Sequence, residues 1–341
     1  MESKNELLDL INEKIVVTAE IGINHNGDLK LAEGMIDAAA KAGADAVKFQ
    51  AFKTDFMYSQ LTPGFKHTEN DVFAQMKGLE IQDSWWPGLK ERAHQQGLLF
   101  SASVFDRPSM ELLTETGVDF LKIASGEMTN HDFLKEQKVL SDTYVVSTGM
   151  AVLEEIAATV HFLKQSGINK IILLECTSSY PAPPDSIYLL NIDYLRDTFQ
   201  LPVGFSDHTL GMHHAIASAA RGARFIEKHF TLDRNMEGPD QKISCDPSQL
   251  RLMVDAIKEI NISLQANQKM FFSKHEENSR DIGRKSVTAN RKIEKGERIT
   301  KENTIIKRPG KGVAPPEAKY LYGRTAKQEI PQDQWITWDL V

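Results

Sequence analysis

Two tripeptides put groups able to bind a divalent metal at matching points of the chain: Ser206-Asp207-His208 and Glu227-Lys228-His229. Each closes a run that reads as a buried strand, 202–205 and 223–226. Imidazoles at the carboxyl ends of neighbouring parallel strands can converge on one cation, and that end of the strands is where α/β barrels keep their chemistry. A single histidine is more often a hydrogen-bonded structural residue. Two at equivalent places in successive strand–helix units, each near a carboxylate, point to a site.

Other strand-like runs also end in polar groups. Lys48 and Gln50 close one, Ser101 and Ser103 the next, and Lys122 and Ser125, followed by Glu127, a third. Ser147 closes another, Ser178 and Tyr180 follow the next, and Ser206 precedes His208. An ammonium inside a strand such as 120–125 is costly unless it is paired. A buried structural ion pair is one account of Lys122. With Lys48 and several hydroxyls at the same end, a phosphate or carboxylate ligand is the better account. Glu20 stands between apolar neighbours in the first strand, where it either pairs with a lysine or meets substrate hydroxyls. Glu127 and Glu227 are strand-end acids able to move a proton. Asp240 lies in a loop, ordinarily the place of a turn former. The segment 24–28 is a turn by composition, and its His25 alone supports no metal site.

The elements that must hold these groups alternate regularly. Strands are expected at 15–23, 46–50, 98–103, 120–125, 144–148, 171–176, 202–208 and 225–231, with amphipathic helices between them. Apolar strands alternating with helices indicate a parallel sheet. Eight such units over roughly 250 residues match a (β/α)8 TIM barrel. An open doubly wound sheet is the alternative, but no G-x-G-x-x-G follows any strand. Leu7, Leu8, Leu10 and Ile11 form a cluster expected to plug the barrel floor, and 51–81 is an irregular insertion expected to shape the site. The pattern then changes: the barrel is expected over 1–272, a linker over 273–280 and a small β-rich domain over 281–341.

The chain has 341 residues, 41% of them hydrophobic, and a net charge of −7, which argues against nucleic-acid binding. No apolar run reaches the roughly 18 residues that span a bilayer, so no membrane partner is expected. The N-terminus lacks a secretory pattern, and the two cysteines, Cys176 and Cys245, have no metal-knuckle spacing. A reducing cytoplasm is the expected location.

Motifs in order along nearly the whole chain carry a resemblance. They are TAEIGINHNGD from Thr18, GADAVKFQ from Gly43, FLKIASGEMTN from Phe120, VVSTGM from Val145 and ECTSSYPAPP from Glu175. VGFSDHTLG from Val203, IEKHFTLD from Ile226 and GPD from Gly238 follow, then RKSV, IEKGERIT and KRPGKG in the last sixty or so residues. Together these resemble the sialic acid synthases, which condense phosphoenolpyruvate with an N-acylated hexosamine. The final segment is similar to their antifreeze-like (SAF) domain.

The resemblance implies that His208 and His229 hold a divalent metal, commonly Mn2+, with Mg2+ or Co2+ as alternatives. It implies that Lys48, Ser103, Lys122, Ser125, Ser147 and Ser206 cradle phosphoenolpyruvate, and that Glu20, Gln50, Tyr180 and Asp240 meet the hexosamine. Arg308 matches an arginine that enters the partner subunit's barrel, which implies a domain-swapped homodimer. Ser178 stands where many neuraminate synthases have asparagine, and Ser103 replaces a commoner threonine. Glu127 is the expected proton carrier, Glu20 the group orienting the sugar, and Glu227 a residue behind the metal. The expected product is an N-acetylneuraminate-type acid from N-acetylmannosamine or a close hexosamine. The alternative is a diacetyllegionaminate or pseudaminate synthase using a 2,4-diacetamido-trideoxyhexose. Other phosphoenolpyruvate-dependent aldol enzymes would leave the C-terminal domain unexplained, and a sugar-binding module without catalysis would leave both histidines and both lysines unexplained.

Overall fold

Strands buried on both faces set the architecture. They are β1 (Val16–Gly22), β2 (Ala46–Ala51), β3 (Leu99–Val104), β4 (Phe120–Ile123), β5 (Thr143–Ser147), β6 (Lys170–Cys176), β7 (Val203–Asp207) and β8 (Phe225–His229). All neighbours pair in parallel, and β8 pairs with β1 to close the barrel. The computed structural model describes residues 7–62, 72–265 and 272–341. The chain divides into two compact units, Met1–Ala266 and Asn267–Val341.

In the first unit, helices follow as α1 (Leu7–Glu13), α2 (Leu29–Ala42), α3 (Thr54–Met57), α4 (Val72–Lys77), α5 (Trp86–Gln95), α6 (Arg107–Thr116) and α7 (His131–Glu136). They continue with α8 (Leu153–Gln165), α9 (Asn191–Phe199), α10 (His213–Ala220) and α11 (Pro247–Gln265). The helix ends show ordinary punctuation. Asp28 caps α2 by accepting from the Lys30 and Leu31 N–H groups, and Gly43 ends it at φ 89°, the left-handed region that glycine enters freely. The insertion at 51–81 contains the short α3 and α4, and its middle, 63–71, lies outside the described residues.

Side-chain alternation sorts each strand into two sets. Residues such as Val17, Ala19, Val47, Phe49 and Phe205 face the helices and join the main core. Val16, Ala46, Phe120, Val145, Ile172, Leu174 and Phe225 form a separate cluster at the barrel floor, with Leu7 and Ile11 of α1 packed into it. The expected plug is therefore helix α1, and Phe120 meets Phe225 edge to face at 5.7 Å within the floor. Continuing the same parity towards the carboxyl ends turns Glu20, Lys48, Ser103, Lys122, Ser206, Glu227, His208 and His229 into the barrel.

The outward set includes one isolated acid. Glu175 in β6 is 4% exposed, and burial pushes its carboxyl up to about 7, with Asn191 at the start of α9 acting in the other direction. The folded state therefore holds a proton that the unfolded chain, with an ordinary value of 4.5, has released. This acid makes stability fall as pH rises from about 4.5 to 7 and leaves it level above that. We expect Glu175→Gln to gain stability relative to the parent by about 1–3 kcal/mol on going from pH 5 to pH 8, read by denaturant unfolding.

The second unit has its own core, built on Val287, Ile293, Ile299, Leu321, Ile330 and Ile336. Strands β9 (Ser286–Ala289) and β10 (Thr304–Lys307) pair antiparallel, and isolated bridges join Ile293 to Ile330 and Arg298 to Thr325. Residues 273–280, the expected linker, carry a one-turn 3₁₀ segment and most of α12 (Glu277–Gly283). The reason is local: Ser273 and Glu276 form a reciprocal capping box that starts a helix. No helix among the described residues is long and apolar enough to cross a membrane.

Candidate active site

Above the apolar floor, neighbouring strands contribute an interlocked set of charges. Lys48 Nζ lies 2.8 Å from Glu20 Oε1 and 3.9 Å from Glu227 Oε2, and it donates to Ser103 Oγ at 3.2 Å. Lys122 Nζ lies 3.1 Å from Glu227 Oε1, which also accepts from Ser206 Oγ at 3.0 Å. Gln50 Nε2 donates to Glu20 Oε1 at 3.0 Å. All four charged side chains are at most 5% exposed. Strand register makes these contacts, since Glu20 stands opposite Lys48 and His229, and Ser103 opposite Lys122.

Burial drives the two carboxyls towards neutrality, and the lysines beside them oppose it. Burial would raise the Glu227 carboxyl, but Lys122 and Lys48 hold it at about 2. Glu227 is thus an anion held between two ammoniums. Glu20 behaves differently: burial outweighs Lys48, and its carboxyl lies above the ordinary range. The ion pair weighed for Lys122 exists, and it forms the wall of the same interior that holds the hydroxyls.

A second group lines the mouth. Ser125 sits on the one-turn 3₁₀ segment after β4, and its Oγ accepts from the Gly149 N–H at 3.1 Å. A Cβ added at Gly149 would lie 2.4 Å from Ser178 Oγ, 2.7 Å from Ser125 Oγ and 3.3 Å from Cys176 Sγ. Two hydroxyls, a thiol and a backbone N–H therefore converge on a spot that only glycine leaves open. Ser147 Oγ, at the end of β5, is buried with no hydrogen-bond partner among the described residues. Cys176 was not anticipated, because a strand-ending cysteine without knuckle spacing reads as apolar filler.

The two imidazoles meet beside this cradle, with ring centroids 5.4 Å apart and Tyr180 at 4.2 Å from His208. The Nδ1 of His208 lies 2.7 Å from the Thr177 carbonyl, so in the neutral ring Nδ1 carries the proton and Nε2 the lone pair. Burial works against a charge on His208, but Cys176, the Thr177 carbonyl and Glu227 together raise its proton affinity. Burial, His208 and Lys48 keep His229 neutral, and its Nδ1 lies 3.5 Å from Asp240 Oδ2. Asp240 itself is pushed up to about 6, by burial and then by Glu20. A neutral imidazole with a carbonyl-fixed tautomer is the donor a divalent cation requires. Among the described residues no third His, Cys, Asp or Glu joins them in a metal-binding cluster. The residues fit a metal held by two imidazoles, with its remaining positions left to water or substrate.

The middle residues of the two tripeptides point the other way. Lys228 Nζ donates to Asp207 Oδ2 at 2.9 Å and to the Thr209 carbonyl at 2.5 Å, on the outer face of the barrel wall. This buried pair ties β7 to β8 directly behind the histidines. The strict alternation in Ser-Asp-His and Glu-Lys-His was the available signal for it. Two further residues were expected at the site. Glu127 lies on the 3₁₀ turn after β4, half-buried, where Asn130 Nδ2 donates to its Oε2 at 3.4 Å. Burial raises its carboxyl above the ordinary range. Arg308 belongs to the second unit, exposed, immediately after β10.

The NeuB family pattern matches residues 35–269, more than half of the chain, and the SAF domain pattern matches 284–341. The chain belongs to the NeuB family. The N,N'-diacetyllegionaminic acid synthase of Campylobacter jejuni is 39% identical over 332 residues, covering 95% of this chain and 99% of that one. The N,N'-diacetyllegionaminic acid synthase of Legionella pneumophila is 36% identical, covering 95% and 93%. Among solved structures, the N-acetylneuraminic acid synthetase of Leptospira borgpetersenii, in complex with citrate, superposes with a TM-score of 0.69 at 35% identity over 79% of this chain and 90% of that one. This NeuB-family chain is an enzyme of the sialic acid synthase type.

Proposed function

We propose that the chain condenses phosphoenolpyruvate with the open-chain form of an N-acylated hexosamine, yielding a nonulosonic acid and phosphate. The observation that carries this reading is the juxtaposition at one barrel mouth. Two buried lysines and a cradle of hydroxyls, suited to a phosphate and a carboxylate, adjoin two imidazoles and an acid suited to a sugar.

In this account Lys48 and Lys122, with Ser103, Ser125, Ser147, Ser178 and Ser206, hold phosphoenolpyruvate. Ammoniums and hydroxyls placed in a dry interior stabilise its charge as the reaction proceeds. Glu20, Gln50, Tyr180 and Asp240 orient the sugar hydroxyls, which brings its aldehyde carbon against C3 of the enol. The new C–C bond forms from the enol π electrons, leaving C2 electron-deficient. Water adds at C2, and the tetrahedral adduct collapses with C–O cleavage to the ketone and phosphate. Glu127, with its raised carboxyl, is the group assigned to proton transfer at that adduct. A divalent metal, Mn2+ first and Mg2+ or Co2+ as alternatives, would be held by His208 and His229 and would supply Lewis-acid polarisation of the aldehyde. Arg308 is assigned to the partner subunit's site in a domain-swapped homodimer, so each site takes a cation from a second copy of the chain. The substrates are metabolites of the cytoplasm, the location proposed for the enzyme.

Two sugars compete for the role of acceptor. N-Acetylmannosamine is supported by the neuraminic acid synthetase among the solved relatives, and a 2,4-diacetamido-trideoxyhexose by the legionaminic acid synthases. Comparing kcat/KM for N-acetylmannosamine, its 6-phosphate and the 2,4-diacetamido sugars decides between them. A preference of about a hundredfold or more is expected for one, because a site built for a substrate's polar group strongly rejects an analogue lacking it. Equal, negligible turnover of all of them would overturn the proposal. The cradle makes a further prediction. In Gly149→Ala the methyl would occupy the space between Ser125 and Ser178. We expect KM for phosphoenolpyruvate to rise about ten- to a hundredfold, the scale of a 1 Å misplacement, with KM for the sugar little changed.

A further inference from the structure

Asp240 sits on a loop, yet its Oδ2 faces His229 Nδ1 at 3.5 Å. A ten-residue excursion between β8 and Asp240 has no strand or helix of its own to fix that position. The fixing comes from across the barrel seam, from the turn after β1. Gln241, fully buried and next in sequence to Asp240, donates from Nε2 to the Asn24 carbonyl at 2.9 Å and to Asn26 Oδ1 at 3.3 Å. Its Oε1 accepts from Thr231 Oγ1 just past β8. Asn24, also fully buried, donates from Nδ2 to the Phe230 carbonyl at 2.9 Å and to Ser244 Oγ at 2.8 Å. Ser244 Oγ in turn donates to the Asp240 carbonyl at 2.6 Å. Asn26 Nδ2 closes the ring by donating to the Glu237 carbonyl at 2.7 Å.

The backbone is shaped to this arrangement. Gly238 has φ +146°, and a Cβ there would come within 2.9 Å of both Asn26 Oδ1 and Gln241 Cγ. Every polar atom of the Gln241 amide is used, and each of its partners belongs to the β1 turn or to the end of β8. An ordinary surface loop would not hold a glutamine at zero exposure in this way.

We infer that Gln241, clasped by Asn24 and Asn26, is a positioning residue that fixes Asp240 against His229 and thereby sets how tightly the hexosamine binds. The inference rests on the proposed assignment of Asp240 to the sugar. Gln241 touches neither substrate; it acts through its neighbour.

The experiment is a mutant cycle in the full-length protein with Mn2+, reading KM for each substrate separately. Gln241→Glu keeps size and the acceptor while losing both donated hydrogen bonds. It is expected to raise KM for the hexosamine about tenfold, as misplacement of a binding group does, and to leave KM for phosphoenolpyruvate within about twofold. Asp240→Asn should raise the same KM, and the double variant should be no worse than Asp240→Asn alone, because both act through one carboxylate. Additive losses, or an equal rise in both KM values, would mean that Gln241 serves stability only and would overturn the inference. If Asp240→Asn leaves the sugar KM unchanged, the assignment of Asp240 fails instead. Should Gln241→Glu fold poorly, Ser244→Ala removes the hydrogen bond to the Asp240 carbonyl, and the same pattern of non-additivity with Asp240→Asn is required.

Discussion

Lys122→Met is expected to destabilise the protein by about 3–5 kcal/mol and to abolish turnover, and the two effects are expected to separate in a second variant. The stability loss arises because Glu227 is left as a buried carboxylate without its nearest ammonium, with Lys48 at 3.9 Å and Ser206 at 3.0 Å. Replacing both partners removes that orphan. In Lys122→Met/Glu227→Gln the amide still accepts from Ser206, and stability should return to within about 1–2 kcal/mol of the parent, since buried ion pairs are often replaced at little net cost. Activity should not return. A lysine that stabilises developing charge in a dry site is worth about 100- to 1000-fold in kcat, and the double variant lacks it as fully as the single one. Denaturant unfolding and steady-state rates measured on the same preparations check this. A double variant with turnover within about tenfold of the parent would reduce Lys122 to a structural role.

His208→Ala and His229→Ala form the second pair with a large expected effect. Each removes an imidazole whose ring neighbours at the mouth include groups fitted to a ligand: Tyr180, Asp240 and the other imidazole. Lewis-acid activation is worth several kcal/mol, which at 1.36 kcal/mol per decade is on the order of a thousandfold in rate. Both variants should lose Mn2+ binding in equilibrium titrations and lose turnover together. Stability should change little, because neither ring is in the apolar floor or the outer core. Removing metal from the parent with a chelator should have the same kinetic effect, reversed by adding Mn2+. Either histidine variant binding Mn2+ as the parent does would contradict the two-imidazole centre.

How much of this was written in the sequence depends on the length scale. The barrel was legible because each strand is a nearly continuous apolar run and each helix carries a periodic face, both local properties. The floor plug was legible for the same reason, in the spacing of Leu7 and Ile11. Lysines, glutamates and histidines at strand ends were legible as anomalies against that apolar background. Their partners were not. That Lys122 pairs with Glu227 and Lys48 with Glu20 follows from strand register and barrel closure, which no short segment specifies. Period-two alternation turns Asp207 and Lys228 outward, but their pairing follows from the β7–β8 register, which neither tripeptide specifies alone. Asn24 read as a turn former, and its role became visible only when Ser244, 220 residues away in sequence, closed on it.

Condensation at this barrel mouth is expected to proceed with cleavage of the C–O bond of phosphoenolpyruvate. The most direct test follows phosphate released from phosphoenolpyruvate carrying 18O at the bridging position, with Mn2+ and with each hexosamine in turn. Release is expected to require a hexosamine, with one phosphate per nonulosonic acid formed and the label in the phosphate. Release that ignores the sugar, or label retained on the organic product, would contradict it.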